Sequence, residues 1–291
     1  MNERVAWLRQ ASLDTKPYIS TERAELVTEV YARCAGKVSV PVLRALCFKH
    51  LMENKTICIN EGELIVGERG PAPKATPTFP ELCCHSLQDL DVLHNREKTA
   101  YFLSAEARRV YEEKIIPFWK GKTMREMLFD QMSEEWKEAY AAGIFTEFME
   151  QRAPGHTVAD GKIYVRGFLD FREEIKKSMA ELDFLNDPEA YDKREELKAM
   201  LICANAIITF ARRHAELARR MADQQKDPAR KEELLKIAEV CSHVPAHAPR
   251  NFWEALQAYW FVHLGVITEL NGWDSFNPGR LDQHLYPFYK K

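Results

Sequence analysis

The stretch DPEAYDKREELKAMLICANAIITFARRHAELARRM, residues 187–221, decides the fold class. Leu197, Met200, Leu201, Ala204, Ile208, Ala211, Ala215, Ala218 and Met221 recur at three- and four-residue intervals, laying one apolar stripe along a helix of many turns. Asp187 followed by Pro188 has the form of an N-cap and a first helical residue. A helix this long needs other helices against its stripe, and the flanking sequence supplies them. Asp227 and Pro228 repeat the start signal ahead of Leu234, Ile237 and Cys241. Asn251 with Glu254 opens a run from Phe252 to Leu270 that is apolar on most sides and is expected to be buried.

Upstream the texture is the same. Ser20 is placed to cap a helix carrying Val27, Val30, Tyr31 and Cys34, with Gly36 at its end, and Pro41 opens a second through Leu43, Leu46 and Leu51. Helices resume near Ser86, near Ser104 and at Thr123, where Glu126 completes a capping box. Ile57, Ile59 and residues 64–66 read as a short strand or hairpin. The following GERGPAPKATPTFP, residues 67–80, has four prolines and two glycines, so it must be an irregular connection that something holds down. The expected fold is mainly α-helical with a few short strands. Helical texture breaks near 53–85, 150–168 and 271–280, and function is to be sought in those three stretches.

Composition narrows the class. Hydrophobic residues are 46% and charged residues 29% of the 291, which excludes a disordered tail, a collagen-like repeat and a disulfide-stapled miniprotein. Only 12 glycines agree with few tight turns and many helices. A net charge of -3 gives no electrostatic case for nucleic acid or an anionic membrane. No apolar run approaches the roughly 20 residues of a membrane span, and the first residues, MNERVAWLRQ, do not form a secretory signal. Seven cysteines without framework spacing fit a reducing cytoplasm.

Several residues have chemistry to offer. Cys241, His243 and His247 could supply three zinc ligands, but Pro245 and Pro249 and the lack of a nearby fourth ligand favour a proline-shaped helix connection. Cys83, Cys84 and His85 could pair a thiol with a base, although half-buried small apolar cysteines are the commoner case. Signatures of nucleophile elbows, P-loops, dinucleotide folds and zincins are absent from the sequence. His156 follows the turn Pro154-Gly155 and can exchange a proton near neutral pH, or can simply bond a carbonyl at the surface. Asp274 lies between Trp273 and Phe276, so it is either a buried cap or an acid that binds a ligand.

These stretches also carry a resemblance. NEGELIVGE at 60–68, PELCCH at 80–85, EFMEQRAPGHT at 147–157 and PGRLDQHLYPFY at 278–289 resemble the N-terminal part of glycyl radical enzymes of the pyruvate formate-lyase superfamily. The segment from Phe148 to His156 and the pair Trp273-Asp274 resemble most the trans-4-hydroxy-L-proline dehydratases. The resemblance implies an oxygen-sensitive cytoplasmic radical lyase whose barrel of two parallel half-sheets sits inside a helical shell, this chain being mostly shell. It makes residues 1–291 the N-terminal part of a pyruvate formate-lyase-type domain, with the C-terminal glycyl radical domain absent. None of the seven cysteines is followed two residues later by glutamate, as the dehydratases require, and no Arg-Val-x-Gly-Tyr radical motif occurs.

Carried over, the resemblance implies that His156 contacts the departing hydroxyl, Asp274 the ring amine of the substrate and Phe148 the apolar side of the pocket. The residue types suit those tasks: hydroxide must be protonated as it leaves, and a secondary ammonium needs a carboxylate. The implied cofactor is an organic glycyl radical on the missing part, with none bound by this chain and no metal. The implied partners are hydroxyproline as small-molecule substrate, a radical S-adenosylmethionine activating enzyme and a second copy in a homodimer. Two alternatives stay open: another glycyl radical lyase acting on glycerol, propanediol or an acyl group, and a truncated, non-catalytic helical fragment or subunit.

Overall fold

A computed structural model describes residues 2–144, 159–270 and 279–290. Helix α1 (Glu3–Asp14) and strand β1 (Tyr18–Ser20) lead into α2 (Glu22–Cys34) and α3 (Val40–Asn54). An irregular stretch then reaches β2 (Ala75–Pro77), α4 (Leu87–Asn95), α5 (Ala105–Val110), a π-helical turn (Tyr111–Ile115), α6 (Ile116–Trp119), α7 (Met124–Gln131) and α8 (Glu134–Ala141). A 3-10 turn (Asp160–Tyr164) precedes α9 (Phe168–Ala180), α10 (Ala190–Gln224), α11 (Pro228–His243), α12 (Phe252–Glu269) and α13 (Leu281–Tyr289). The mainly helical expectation therefore holds, with short strands as minor elements.

The spine is α10, whose 35 residues make a rod roughly 50 Å long. Its buried face is Ala204, Ile207, Ile208, Phe210, Ala211, His214, Ala215, Ala218 and Ala222, which packs against α3 and α11. So many alanines let the neighbouring helices approach closely, while Phe210 fills the space toward Phe261 of α12, ring centres 5.7 Å apart. Trp119 is fully buried in the same core and donates its Nε1 proton to Thr28 Oγ1 at 2.8 Å, so its one polar atom is satisfied. Among the described residues no helix is long and apolar enough to cross a membrane.

Three local expectations are corrected. The long helix begins at Ala190, because Asp187 Oδ1 accepts from Glu189 N at 3.0 Å and Oδ2 from Lys193 Nζ at 2.8 Å, closing a turn around Pro188. Ser20 ends a strand instead of capping α2; Thr21 holds the cap position, its hydroxyl donating to Glu25 Oε1 at 2.9 Å. The strand expected within 57–66 is absent. Among the described residues the strands are β1 and β2, parallel, with Tyr18 opposite Ala75, Ile19 opposite Thr76 and Ser20 opposite Pro77. Proline has no amide proton to give a ladder, and here it stands on the last residue of its strand.

The N-terminus of α9 is docked on backbone. Phe168 N donates to Pro245 O at 2.9 Å and Leu169 N to Ala246 O at 3.0 Å, which satisfies amides that a helix start leaves without partners. A Cβ on Gly167 would lie 2.2 Å from Ala246 O and 2.4 Å from His247 Cα, and backbone cannot rotate away as a side chain can. Gly167→Ala is therefore expected to destabilise the chain by about 1–3 kcal/mol, the cost of overpacking. Thermal unfolding of the variant checks this, and an unchanged midpoint would contradict the contact.

Candidate active site

Helix α12 holds the main chain of the first stretch that breaks the helical texture. Asn251 caps it by accepting from Glu254 N at 3.0 Å, and Trp253, Gln257 and Trp260, spaced four and three residues apart, share one face. Each reaches the main chain of the 60–68 motif. Trp253 Nε1 donates to Leu64 O at 2.8 Å and Trp260 Nε1 to Gly67 O at 2.9 Å. Between them Gln257 accepts from Val66 N at 2.8 Å and donates to Val66 O at 2.9 Å. Side chains thus do what a neighbouring strand would do, so the main chain of residues 64–67 is satisfied without forming a sheet. Gly67 has φ +121°, which side-chain-bearing residues rarely adopt, so glycine is favoured there, and a Cβ would also push on Leu264 Cδ1 at 2.7 Å.

Two cations complete the attachment. Arg230 of α11 donates to Glu63 O at 2.9 Å and Asn60 O at 3.1 Å, and Lys55 Nζ donates to Glu68 O and Arg69 O, both at 2.9 Å. Lys55 is buried over the Phe210 ring, and its desolvation pulls the ammonium down to about 8. His214 nearby is fully buried between Phe210 and Phe261, with Nδ1 2.9 Å from Phe210 O; burial pushes it down to about 4, so it is neutral at pH 7.

The C-terminal end of α12 is gripped by a buried charge network. Arg23 of α2 donates from Nε to Thr268 O at 2.6 Å, from Nη2 to Glu269 O at 3.3 Å, and from Nη1 to Thr78 O at 3.1 Å. It also holds Glu81 through both oxygens, at 2.6 and 3.1 Å. Arg44 of α3 donates from Nε to Glu269 Oε1 at 2.8 Å, lies 3.5 Å from Glu81 Oε1 and reaches Glu269 O at 3.3 Å. The Arg23 and Glu81 side chains are 4% and 1% exposed, so this pair is withdrawn from water. Burial opposes the Glu81 charge, but Arg23 and then Arg44 outweigh it and hold the carboxyl below the usual carboxylate range. Thr268 O and Glu269 O are among the carbonyls that a helix end leaves without partners, and two guanidinium groups also suit the negative end of the helix dipole.

On the other flank of α12, the 3-10 turn and α13 meet. Ile163 and Tyr164 form a small hydrophobic cluster with Ala255 and Val262 of α12 and Leu285 of α13. His284 stacks on Tyr164 with ring centres 5.2 Å apart, and its Nε2 lies 3.1 Å from Asp160 Oδ1. Ala159 and Asp160 have φ of 58° and 44°, a left-handed pair of non-glycine residues that needs such outside support.

Phe148, His156 and Asp274 lie outside the described residues. His156 is four residues before Asp160, within about 14 Å of it at full extension. Asp274 is five residues after Glu269 and ten before His284. The cluster beside the Asp160–His284 contact includes Tyr259 and Val262 of α12, and the charge network closes on Glu269 of the same helix, ten residues or about 15 Å along the axis from Tyr259.

The other cysteine and histidine groups resolve as structure. Cys241 is buried and its thiol is pushed up by desolvation; His243 stacks on His247 at 5.0 Å and lies 3.0 Å from Ala248 O. Among the described residues no group of three or more His, Cys, Asp or Glu could hold a metal ion. Cys84 is pushed up to about 12 by burial, and His85 is lowered by the same cause, so neither is poised as thiolate or cation.

Sequence reasoning missed Arg23, Arg44, Glu81 and Glu269. One signal was present: Arg23 stands four and seven residues before Val27 and Val30, on the apolar face of α2.

The profile of the pyruvate formate lyase-like family matches residues 1–291 in full. The chain belongs to the pyruvate formate lyase-like family. Within it, the trans-4-hydroxy-L-proline dehydratase of Clostridioides difficile is 54% identical over 99% of this chain and 37% of its own length. The crystal structure of hydroxyproline dehydratase from Clostridioides difficile, with trans-4-hydroxy-L-proline bound, superposes with a TM-score of 0.95, covering 100% of this chain and 37% of that one. The glycerol-bound B12-independent glycerol dehydratase from Clostridium butyricum superposes with a TM-score of 0.93 at 33% identity, covering 100% and 37%. The chain thus spans about 37% of the length of these relatives.

Proposed function

We propose that residues 1–291 are the N-terminal part of a glycyl radical dehydratase that removes water from trans-4-hydroxy-L-proline, and that they carry its acid and amine-recognising groups. The observation that supports this best is 54% identity over 99% of the chain to an enzyme of that activity, together with Phe148, His156 and Asp274 at the positions the resemblance assigns to the pocket. The radical supplies hydrogen abstraction through a cysteine, and both groups would reside on polypeptide outside these residues, whose seven cysteines lack the Cys-x-Glu pattern. By themselves residues 1–291 are expected to be inactive.

The parts played by this chain follow from ordinary acid–base chemistry. His156, in its cationic form, gives a proton to the departing hydroxyl, which otherwise would leave as hydroxide. Asp274 faces the ring ammonium and fixes the ring by a charge-assisted hydrogen bond. Phe148 covers the apolar edge of the ring and keeps water from it. The same reading calls for a radical S-adenosylmethionine enzyme as activator, two copies paired as a homodimer, and the oxygen-poor cytoplasm as the site of action.

A second reading, dehydration of a neutral diol, is supported by the glycerol dehydratase likeness. The carboxylate of Asp274 separates the two, because a neutral diol has no ammonium for it to pair with. In the activated full-length enzyme containing these residues, Asp274→Asn is expected to raise KM for hydroxyproline about 10- to 100-fold, the worth of one hydrogen bond to a charged group. Turnover of glycerol or propanediol in place of hydroxyproline would overturn the proposal.

A further inference from the structure

Two guanidinium groups share the ring of Phe79, and only one of them is answered by an acid. Arg23 has its Cζ 3.8 Å from the ring centre and Arg69 has its Cζ 5.6 Å from it. Arg23 is neutralised by Glu81, which it holds through both carboxylate oxygens. Arg69 is half-buried, and its Nε is shut away from water without a hydrogen-bond partner. Among the described residues its side chain makes no hydrogen bond or ion pair. Burial first, and then the like charge of Arg23, pull its guanidinium down to about 10, with only the Tyr101 phenol acting in the opposite sense. His263 of α12 is close enough to feel Arg69; burial and then Arg69 lower it, so it is neutral at pH 7 and does not balance the arginine.

The main chain presents this cation from a fixed place. Arg69 O accepts from Lys55 Nζ at 2.9 Å, and a Cβ on the next residue, Gly70, would lie 2.6 Å from Ala75 Cβ and 2.9 Å from Ala75 O, so the loop is packed against β2. A partly dehydrated guanidinium without a counter-ion is costly, and a carboxylate stabilises it best, because two oxygens match the planar fork. Arg23 and Glu81 show the completed form of such a pair beside the same ring. This chain spans about 37% of the length of the relatives it matches, so polypeptide able to bring an acid is accounted for. We propose that Arg69 is the cation of a docking site for an aspartate or glutamate side chain on the polypeptide outside residues 1–291.

The test is thermal unfolding of the full-length protein containing these residues, parent against Arg69→Gln, between pH 7 and pH 4. In the parent the docked carboxylate is held below its ordinary value, and the pair weakens as pH falls toward that folded value. In Arg69→Gln the same carboxylate is orphaned and partly dehydrated, and acid relieves it by adding a proton. The variant is therefore expected to unfold about 2–4 °C below the parent at pH 7, with the gap at least halved at pH 4. Arg69→Lys, which keeps the charge and loses the fork, is expected to fall between, and it serves if Arg69→Gln does not fold. A gap that stays constant with pH would mean that Arg69 only packs on Phe79, and would overturn the docking site. The Kd for trans-4-hydroxy-L-proline is expected to stay within about threefold of the parent; a rise of about tenfold or more that spares its carboxamide would assign Arg69 to the substrate's carboxylate and overturn the proposal. A gap that grows with protein concentration would place the acid on a second copy and overturn it as well. Unfolding does not use the reaction, so failure of the dehydratase reading leaves this result standing.

Discussion

His156→Ala is expected to lower kcat of the activated full-length enzyme on hydroxyproline by about 10²- to 10⁴-fold, the usual worth of a positioned general acid. The size follows from the leaving group: hydroxide departing from a ring carbon is poor, whereas water is good. KM should move far less, since a loss confined to kcat marks a group used at the transition state. The pH profile of kcat should lose the limb contributed by an acid that titrates near neutrality. Turnover at the parent rate in His156→Ala would remove histidine from the mechanism.

Glu81→Ala should be the most destabilising single change in the charge network. It leaves the buried Arg23 guanidinium without its carboxylate, and breaking a buried pair from one side costs about 3–5 kcal/mol. In a chain of this size that lowers the thermal midpoint by on the order of 10 °C. The contrast is Glu106→Ala, whose pair with Arg109 is 66% and 62% exposed and, screened by water, should leave the midpoint almost unchanged. Acid tests the same pair without mutation. The Glu81 carboxyl is held below its ordinary value in the fold, so its stabilisation is complete above the unfolded carboxylate range and is lost as pH falls through the folded value. Thermal scans between pH 7 and pH 3 should show a steeper loss for the parent than for Glu81→Gln. Equal slopes, or a midpoint for Glu81→Ala within a degree or two of the parent, would contradict this account.

Most helices were legible from ends written locally, Ser20 and Asp187 being the exceptions. Asn251 with Glu254, Asp227 with Pro228 and Thr123 with Glu126 all act as the sequence implies, because a cap and its helix are neighbours in the chain. The strands were not legible, since Tyr18 and Ala75 meet across many intervening residues and each strand has only three. The candidate site divides the same way. Its motifs stood out as text, yet their physical role was hidden: the partners of residues 64–67 are side chains of α12, and the partner of Glu81 is an arginine on α2. Asp187 shows the opposite failure, a local signal whose carboxylate found a closer use in a turn.

The attachment of residues 64–67 to α12 has a consequence for how this stretch can change over evolutionary time. Trp253, Gln257 and Trp260 hydrogen-bond there to main-chain atoms, and every residue type except proline offers the same atoms. The grip is blind to spelling at positions 64 and 65, where drift from one side chain to another leaves all four bonds in place. It is not blind to counting. The three side chains are teeth of fixed pitch, and one inserted or deleted residue between Leu64 and Gly67 would put the rack out of step with the pinion.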